Sequence, residues 1–287
     1  MDVSIEQVKA LRNKTGAGMM DCKKALMESG GDFDKAIEYL RKKGAMVAQK
    51  RSDRIAKEGL ILAITSENRK EAAIVEINCE TDFVARSDDF QNFTKSAVNA
   101  VMKEKTGDIS ALENKSIGGK TLKQAFDELT GKIGEKTEFK RAEYLSSNNG
   151  FFSAYNHVGN KIATIIELEG PITDKGAELG NDLAMQVAAM TPLAINRDGI
   201  DKSVIEREKE IYVTQAKNEK KPDNIVEKIA ANKVEKFYQE NCLVEQEFVR
   251  EPGKSVKDII NAVSKETGND YKVVKMLRYQ LGETLDS

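Results

Sequence analysis

Residue types that carry out covalent or metal chemistry are sparse and scattered in this 287-residue sequence. Its one histidine, His157, stands where a strand meets a turn. No cysteine or carboxylate lies near it at metal-ligand spacing, and no recognisable nucleophile elbow accompanies it. Its plain role is structural or at the surface; the other is contact with a partner. Gly118-Gly119-Lys120-Thr121 has the look of a phosphate loop, but that loop needs a glycine where Asn114 stands. Gly16-x-Gly18 follows no strand and lacks a third glycine, so it is no dinucleotide fingerprint. Asp88-Asp89 suits a helix start better than a metal. What remains is recognition chemistry. Thr81-Asp82-Phe83-Val84 sets an acid and a large aromatic on a short loop after a strand. In one reading Phe83 and Val84 tuck beneath the following helix while Asp82 caps it. In the other Phe83 protrudes, as exposed aromatics do when they anchor protein interfaces.

The elements that position this run follow from hydrophobic period. Residues 4–43 read as three short helices. Ile5, Val8 and Leu11 stripe the first, Ala25 and Leu26 the second, and Ala36, Ile37 and Leu40 the third, which ends near Gly44. Breaks fall at Thr15-Gly16-Ala17-Gly18 and Gly30-Gly31-Asp32. The core of so small a module is marginal, so it leans on neighbours or acts as a docking head. A polar, basic connector follows over 46–58. Leu60, Leu62 and Ile64, then Ala73, Val75, Ile77 and Cys79, alternate as a β-hairpin. After the loop Glu80–Ser87, a helix from Asp88 places Phe90, Phe93, Ala97 and Val101 on one face.

The pattern repeats. A shift of 91 residues maps Gly59 on Gly150, Ala63 on Ala154, Ile74 on Ile165, Glu76 on Glu167 and Ala97 on Ala188. The second copy reads as strand 151–157, strand 161–169 and helix 173–190. A further strand at 139–146 is expected to precede it through a turn at Asn148-Asn149-Gly150, with a helix over 121–133 joining the copies. Residues 202–240 form a protruding antiparallel helical hairpin around Lys220-Lys221-Pro222-Asp223, and a helix (255–264) and a strand (271–280) follow. The expected fold class is α+β: a helical module over 1–45, the linker 46–58, and two related α/β subdomains with small antiparallel sheets, 59–140 and 141–287.

Composition narrows the function. Charged residues make up 32% and the hydrophobic class 40%, so an ordinary core can form. The longest apolar run, Leu60 to Ile64, is far short of the roughly 20 residues a membrane span needs, and Met1–Glu6 lacks the features of a signal peptide. Cys22, Cys79 and Cys242 are odd in number and widely spaced, which suits free thiols in a reducing compartment; a cytoplasmic location is expected. Residues 1–57 carry thirteen Lys/Arg against eight Asp/Glu. The basic stretch 41–57 reads either as a solvated linker face or as a contact to an acidic protein or RNA.

Three motifs, the first and third of them long, make a family visible. Leu11-Arg12-x-x-Thr15-Gly16-Ala17-Gly18-Met19-Met20-Asp21-Cys22-Lys23-Lys24-Ala25-Leu26, Gly31-Asp32 and Asn78 through Ala85 resemble the translation elongation factor Ts family. Tyr155-Asn156-His157, Asp182-Leu183-Ala184-Met185 and Val249-Arg250-Glu251-Pro252 match more weakly. The resemblance implies a UBA-like helical module and a binding protein rather than an enzyme, with no cofactor, metal, membrane or nucleic-acid partner. The implied partner is the GDP-bound GTPase elongation factor Tu, whose nucleotide exchange such proteins promote. It also implies that Thr81, Asp82, Phe83 and Val84 disturb the partner's Mg²⁺ site, that Arg12, Met19 and Met20 dock on its nucleotide domain, and that His157 meets another domain. Gln186, where many relatives have histidine, and Asn160 after Gly159 depart from the pattern. An RNA- or ribosome-binding adaptor using 41–57 is the competing expectation, although aromatic residues, which stacking platforms interleave, are sparse there.

Overall fold

The computed structural model describes residues 3–117, 119–219 and 222–283. Ser4 and Gln7 form a capping box at the start of α1 (Ile5–Thr15), which stops where Gly16 turns left-handed at φ +69° and donates to the Arg12 carbonyl. α2 (Met19–Glu28) and α3 (Phe33–Lys50) complete the head, the Asp32 carboxylate capping α3. Val8, Leu11, Cys22, Ala25, Leu26 and Ala36 form its small core.

The body begins with the hairpin β1 (Glu58–Thr65) and β2 (Glu71–Cys79). After it come α4 (Asp82–Ala85), α5 (Asp88–Glu104), α6 (Ile109–Leu112), the two-residue ladder β3 (Ser116–Ile117) and β4 (Lys120–Thr121), α7 (Leu122–Ile133) and β5 (Thr137–Ser146). A second hairpin, β6 (Gly150–Asn156) and β7 (Ile162–Glu169), leads into α8 (Asp174–Met190), α9 (Lys202–Asn218), α10 (Asp223–Asn241), α11 (Val256–Thr267) and β8 (Lys272–Gln280). The antiparallel sheets run β1-β2-β5 and β6-β7-β8.

Four layers result: helix, sheet, sheet, helix. Leu60, Val75, Ile77 and Cys79 pack beneath Phe90, Phe93 and Val101 of α5 and Leu129 of α7. The other face of that sheet, with Ile61, Ala63, Ile74 and Leu145, meets Phe152, Ala163, Ile165 and Tyr279 of the second. Phe151, Ile166 and Leu168 face α8 and α11. Within the apolar middle layer, buried Glu76 accepts Arg141 Nε at 2.6 Å, and the Arg141 guanidinium lies 3.8 Å from the centre of the Tyr279 ring. The α+β architecture expected from the sequence is the one observed.

Strand 139–146 departs from expectation in its pairing. It lies against β2 in the first sheet rather than in a hairpin with β6, so the boundary expected at 140/141 falls inside β5. Its Phe139 and Tyr144 pack on the helix side and Leu145 between the sheets, a two-sided burial that only the first sheet supplies. Gly150 answers to a close approach instead of a hairpin turn: a Cβ there would sit 2.3 Å from the Leu168 carbonyl oxygen. Gly59, its counterpart in the repeat, would meet the Ile77 oxygen at 2.2 Å. The repeat extends further than its few identities suggest. Both third strands bulge, Lys140 opposite Glu76/Ile77 and Val274 opposite Glu167/Leu168. Both preceding helices open with a capping box, at Thr121 and Ser255, and end at a left-handed glycine, Gly134 and Gly268.

α3 also differs, continuing past Gly44 to Lys50 where a stop was expected. Gly44 is there because α7 crosses α3 at Gly131; a Cβ on Gly44 would lie 2.7 Å from the Asp127 oxygen. The connector is thus helical through Lys50. The α9–α10 hairpin meets the body at its base, where Arg197 bridges Glu235 and Glu245 and stacks on Tyr238. Lys220 and Lys221 of the expected turn, and Gly118 of the phosphate-loop-like run, lie outside the described residues.

Candidate functional site

β2 delivers the chain into the run at 81–84. Thr81 is the cap of α4, its Oγ1 accepting the Val84 N–H at 3.4 Å, so the expected loop 80–87 contains one helical turn, while the helix from Asp88 is capped by Ser87 and not by Asp82. Thr81 is itself held: Glu135 accepts its N–H at 3.0 Å and its hydroxyl at 2.8 Å. The Cys79 thiol donates to the Thr81 carbonyl at 3.1 Å; burial pushes that thiol up to about 12, so it keeps its proton. Glu80 accepts the Lys136 N–H at 2.5 Å and the guanidinium groups of Arg51 and Arg54 at 2.9 Å each. These donors, the Lys136 N–H foremost, hold its carboxyl at about 2.

On this base the side chains divide. Val84 packs against the first core and Ala85 is buried, Asp82 pairs with Arg86 at 3.0 Å, and Phe83 is 82% exposed. Ser87 then caps α5, leaving Asp88 and Asp89 in its first turn. In the second copy Thr173 caps α8 directly, and no separate turn precedes that helix. Phe83 and Val84 line a groove of about 600 Å³ together with Arg12, Gly18 and Met19 of the head and with Lys132. Met19 packs on the head's core while Met20 is 76% exposed, so the two adjacent methionines have different surroundings.

Residues 80–283 match the family model described as Elongation factor TS. A protein of Chloroherpeton thalassium named Elongation factor Ts is 44% identical over 286 residues, covering 98% of this chain and 99% of that protein. Proteins of the same name from Clostridium kluyveri and Clostridioides difficile are 42% and 43% identical, over 99% and 98% of this chain and 94% and 93% of theirs. The chain belongs to the elongation factor Ts family.

In this member of the elongation factor Ts family, the residues expected at the site fall in three places. Arg12, Met19, Phe83 and Val84 share the groove, Thr81 and Asp82 build the turn beneath the ring, and Met20 stands exposed at the start of α2. His157 is elsewhere, on the β6–β7 turn, with Nδ1 3.0 Å from the Tyr155 hydroxyl and beside Val158, which is 90% exposed. Asn160 takes φ +53° in that turn, a conformation asparagine tolerates, and its carbonyl accepts the Ile61 N–H. Gln186 is buried: its side chain accepts the Val249 N–H at 2.9 Å and donates to the Glu247 carbonyl at 3.0 Å, fixing the loop before α11. Sequence reasoning missed Glu80, Glu135 and Lys136. Glu80 lay inside the quoted motif; nothing local marked the other two.

Among the described residues no helix is long and apolar enough to cross a membrane, and no group of three or more His, Cys, Asp or Glu could hold a metal ion.

Proposed function

We propose that this chain is the guanine nucleotide exchange factor for elongation factor Tu. It binds the GDP-bound GTPase in the cytoplasm, disturbs its Mg²⁺ and nucleotide site, and promotes GDP release so that GTP can enter. It works by binding, without making or breaking a covalent bond. The observation that carries the reading is Phe83: an aromatic ring 82% exposed on a turn whose Val84 packs on the core, whose Ala85 is buried and whose base is fastened by Glu135 and Glu80.

The magnitudes agree. Mg²⁺ demands nearly ideal octahedral geometry at about 2.0–2.1 Å, so a small shift of its supporting loops costs much affinity. A hundredfold weakening of nucleotide corresponds to about 2.7 kcal/mol, and burying one phenylalanine contributes about 1.5–3 kcal/mol. Coupling is reciprocal: a factor that weakens the nucleotide is itself released when nucleotide binds. Arg12 and Met19 in the groove, and exposed Met20, offer the head's share of the contact, and His157 with Val158 that of the second subdomain.

The RNA-adaptor alternative has less support. Arg41 pairs with Glu128, Lys42 with Glu38, Lys43 with Asp21, and Arg51 and Arg54 with Glu80. Much of the basic charge in 41–57 is therefore neutralised within the chain. The test is release of labelled GDP from elongation factor Tu. Stoichiometric addition of the purified chain should accelerate it strongly, and an unchanged rate sinks the reading.

A further inference from the structure

Two pairs of consecutive residues, 80–81 and 135–136, hold each other reciprocally. Glu135 offers both carboxylate oxygens to Thr81, one to the N–H and one to the hydroxyl. Glu80 offers Oε1 to the N–H of Lys136. Each segment thus supplies a carboxylate that accepts a backbone N–H of the other. A third segment joins them. Arg51 and Arg54, which follow the last turn of the head's α3, both donate to Glu80, and Lys136 Nζ donates to the Arg54 carbonyl at 2.8 Å.

The segment that carries Phe83 needs such support. α4 has four residues, too few to hold a helical turn in place unaided. Its own cap is a long 3.4 Å contact, and Asp82 is tied only within the turn, to Arg86. Val84 and Ala85 anchor one side of the turn in the core, and Thr81 on Glu135 fastens its start from below, so the two together set the direction in which the ring points. Charge-assisted bonds to both oxygens fix the carboxylate's rotation as well as its position.

We propose that this clasp couples the head to the exposed ring, with Glu135 as the positioning residue, so that docking of the head and insertion of Phe83 occur as one event. The inference rests on the exchange reading above. It separates Glu135 from a residue that only stabilises the fold, because displacement of a rigidly held group by about 1 Å can slow a reaction as much as a hundredfold while leaving binding nearly intact.

The experiment follows labelled GDP release from elongation factor Tu across a concentration series of the full chain, together with a thermal melt of each variant. Glu135→Ala should lower the saturating release rate about tenfold or more while leaving the half-saturating concentration close to wild type. Glu135→Gln can still accept the Thr81 N–H and donate to its hydroxyl, and should recover most of the rate. Replacing Arg51 and Arg54 together by alanine should lower the saturating rate too. A wild-type chain that leaves GDP release unchanged overturns the exchange reading and this proposal with it. If the wild type accelerates release and Glu135→Ala reaches the same saturating rate, the clasp alone is overturned. It is overturned equally if the loss in Glu135→Ala is not recovered by glutamine and follows a fall in melting temperature.

Discussion

Gly44 of α3 and Gly131 of α7 cross so closely that a Cβ built on Gly131 would lie 2.7 Å from the Gly44 Cα. This crossing seats the head on the body and fixes one wall of the groove beside Phe83. Alanine at 131 gains about 1 kcal/mol in helix propensity, but overpacking two backbones costs about 1–3 kcal/mol. Gly131→Ala should therefore lower the melting temperature in calorimetry. A rise, the outcome expected from propensity alone, would show that the helices can separate freely.

Phe83→Ala should leave stability within about 0.5 kcal/mol, because the ring is already in water. Stimulated GDP release should slow by about thirtyfold, the equivalent of ~2 kcal/mol at an interface hot spot. Asp82→Ala removes only the exposed Arg86 pair from the free chain, so its effect on the melting curve should also be small. Fluorescent GDP in a stopped-flow instrument reads the rate, and an unchanged rate when Asp82→Ala and Phe83→Ala are combined would reduce the run to a helix start.

Glu80 titrates at about 2 against an ordinary value of 4.5. A carboxylate depressed in the folded chain contributes stability that is fully present above its unfolded value and is lost as the pH falls toward the folded one. Wild-type melting temperature should therefore decline on acidification through this range, with other carboxylates adding to the slope. Glu80→Gln should have a lower melting temperature near neutrality and a shallower acid limb. Parallel curves for the two proteins, measured between about pH 3 and 6, would contradict the assignment.

The buried Glu76–Arg141 pair between the sheets should behave asymmetrically. Arg141→Met strands a carboxylate in an apolar layer and should cost about 3–5 kcal/mol. Replacing both residues by methionine removes the stranded charge and should recover much of that loss, less the stacking on Tyr279. Urea denaturation of the two single variants and the double variant completes the cycle.

How far the sequence could be read depended on the range of each constraint. The hairpins at 58–79 and 150–169 and the helices from Asp88 and Thr173 were legible, since alternation and helical spacing are local. The placement of β5 was not. Asn148-Asn149-Gly150 reads locally as a hairpin turn, while the pairing with β2 is decided by burial on both faces. Gly44 read as a stop because its reason, Gly131, lies far along the chain. Phe83 as packing or as anchor was undecidable from spacing, and a four-residue helix shows no period. The shared groove of Arg12, Met19 and Phe83 was approachable only through family resemblance. Glu135 had no signal at all, for its partner is Thr81 across the fold.

The repeat has a consequence for how the chain is made. The first sheet has its three strands once Ser146 has been synthesised. The second must hold β7 beside an empty edge until β8, the last element described, arrives after α8, α9, α10 and α11. At about 5–20 residues per second, that interval lasts several seconds or more. α8 can cover part of the apolar face of Phe151, Ile166 and Leu168 early, but throughout the interval the unpaired backbone edge of β7 is open to wrong pairing on the nascent chain. Two structurally equivalent halves therefore differ in their exposure during synthesis, and the later half is where a chaperone has the longest opportunity to bind.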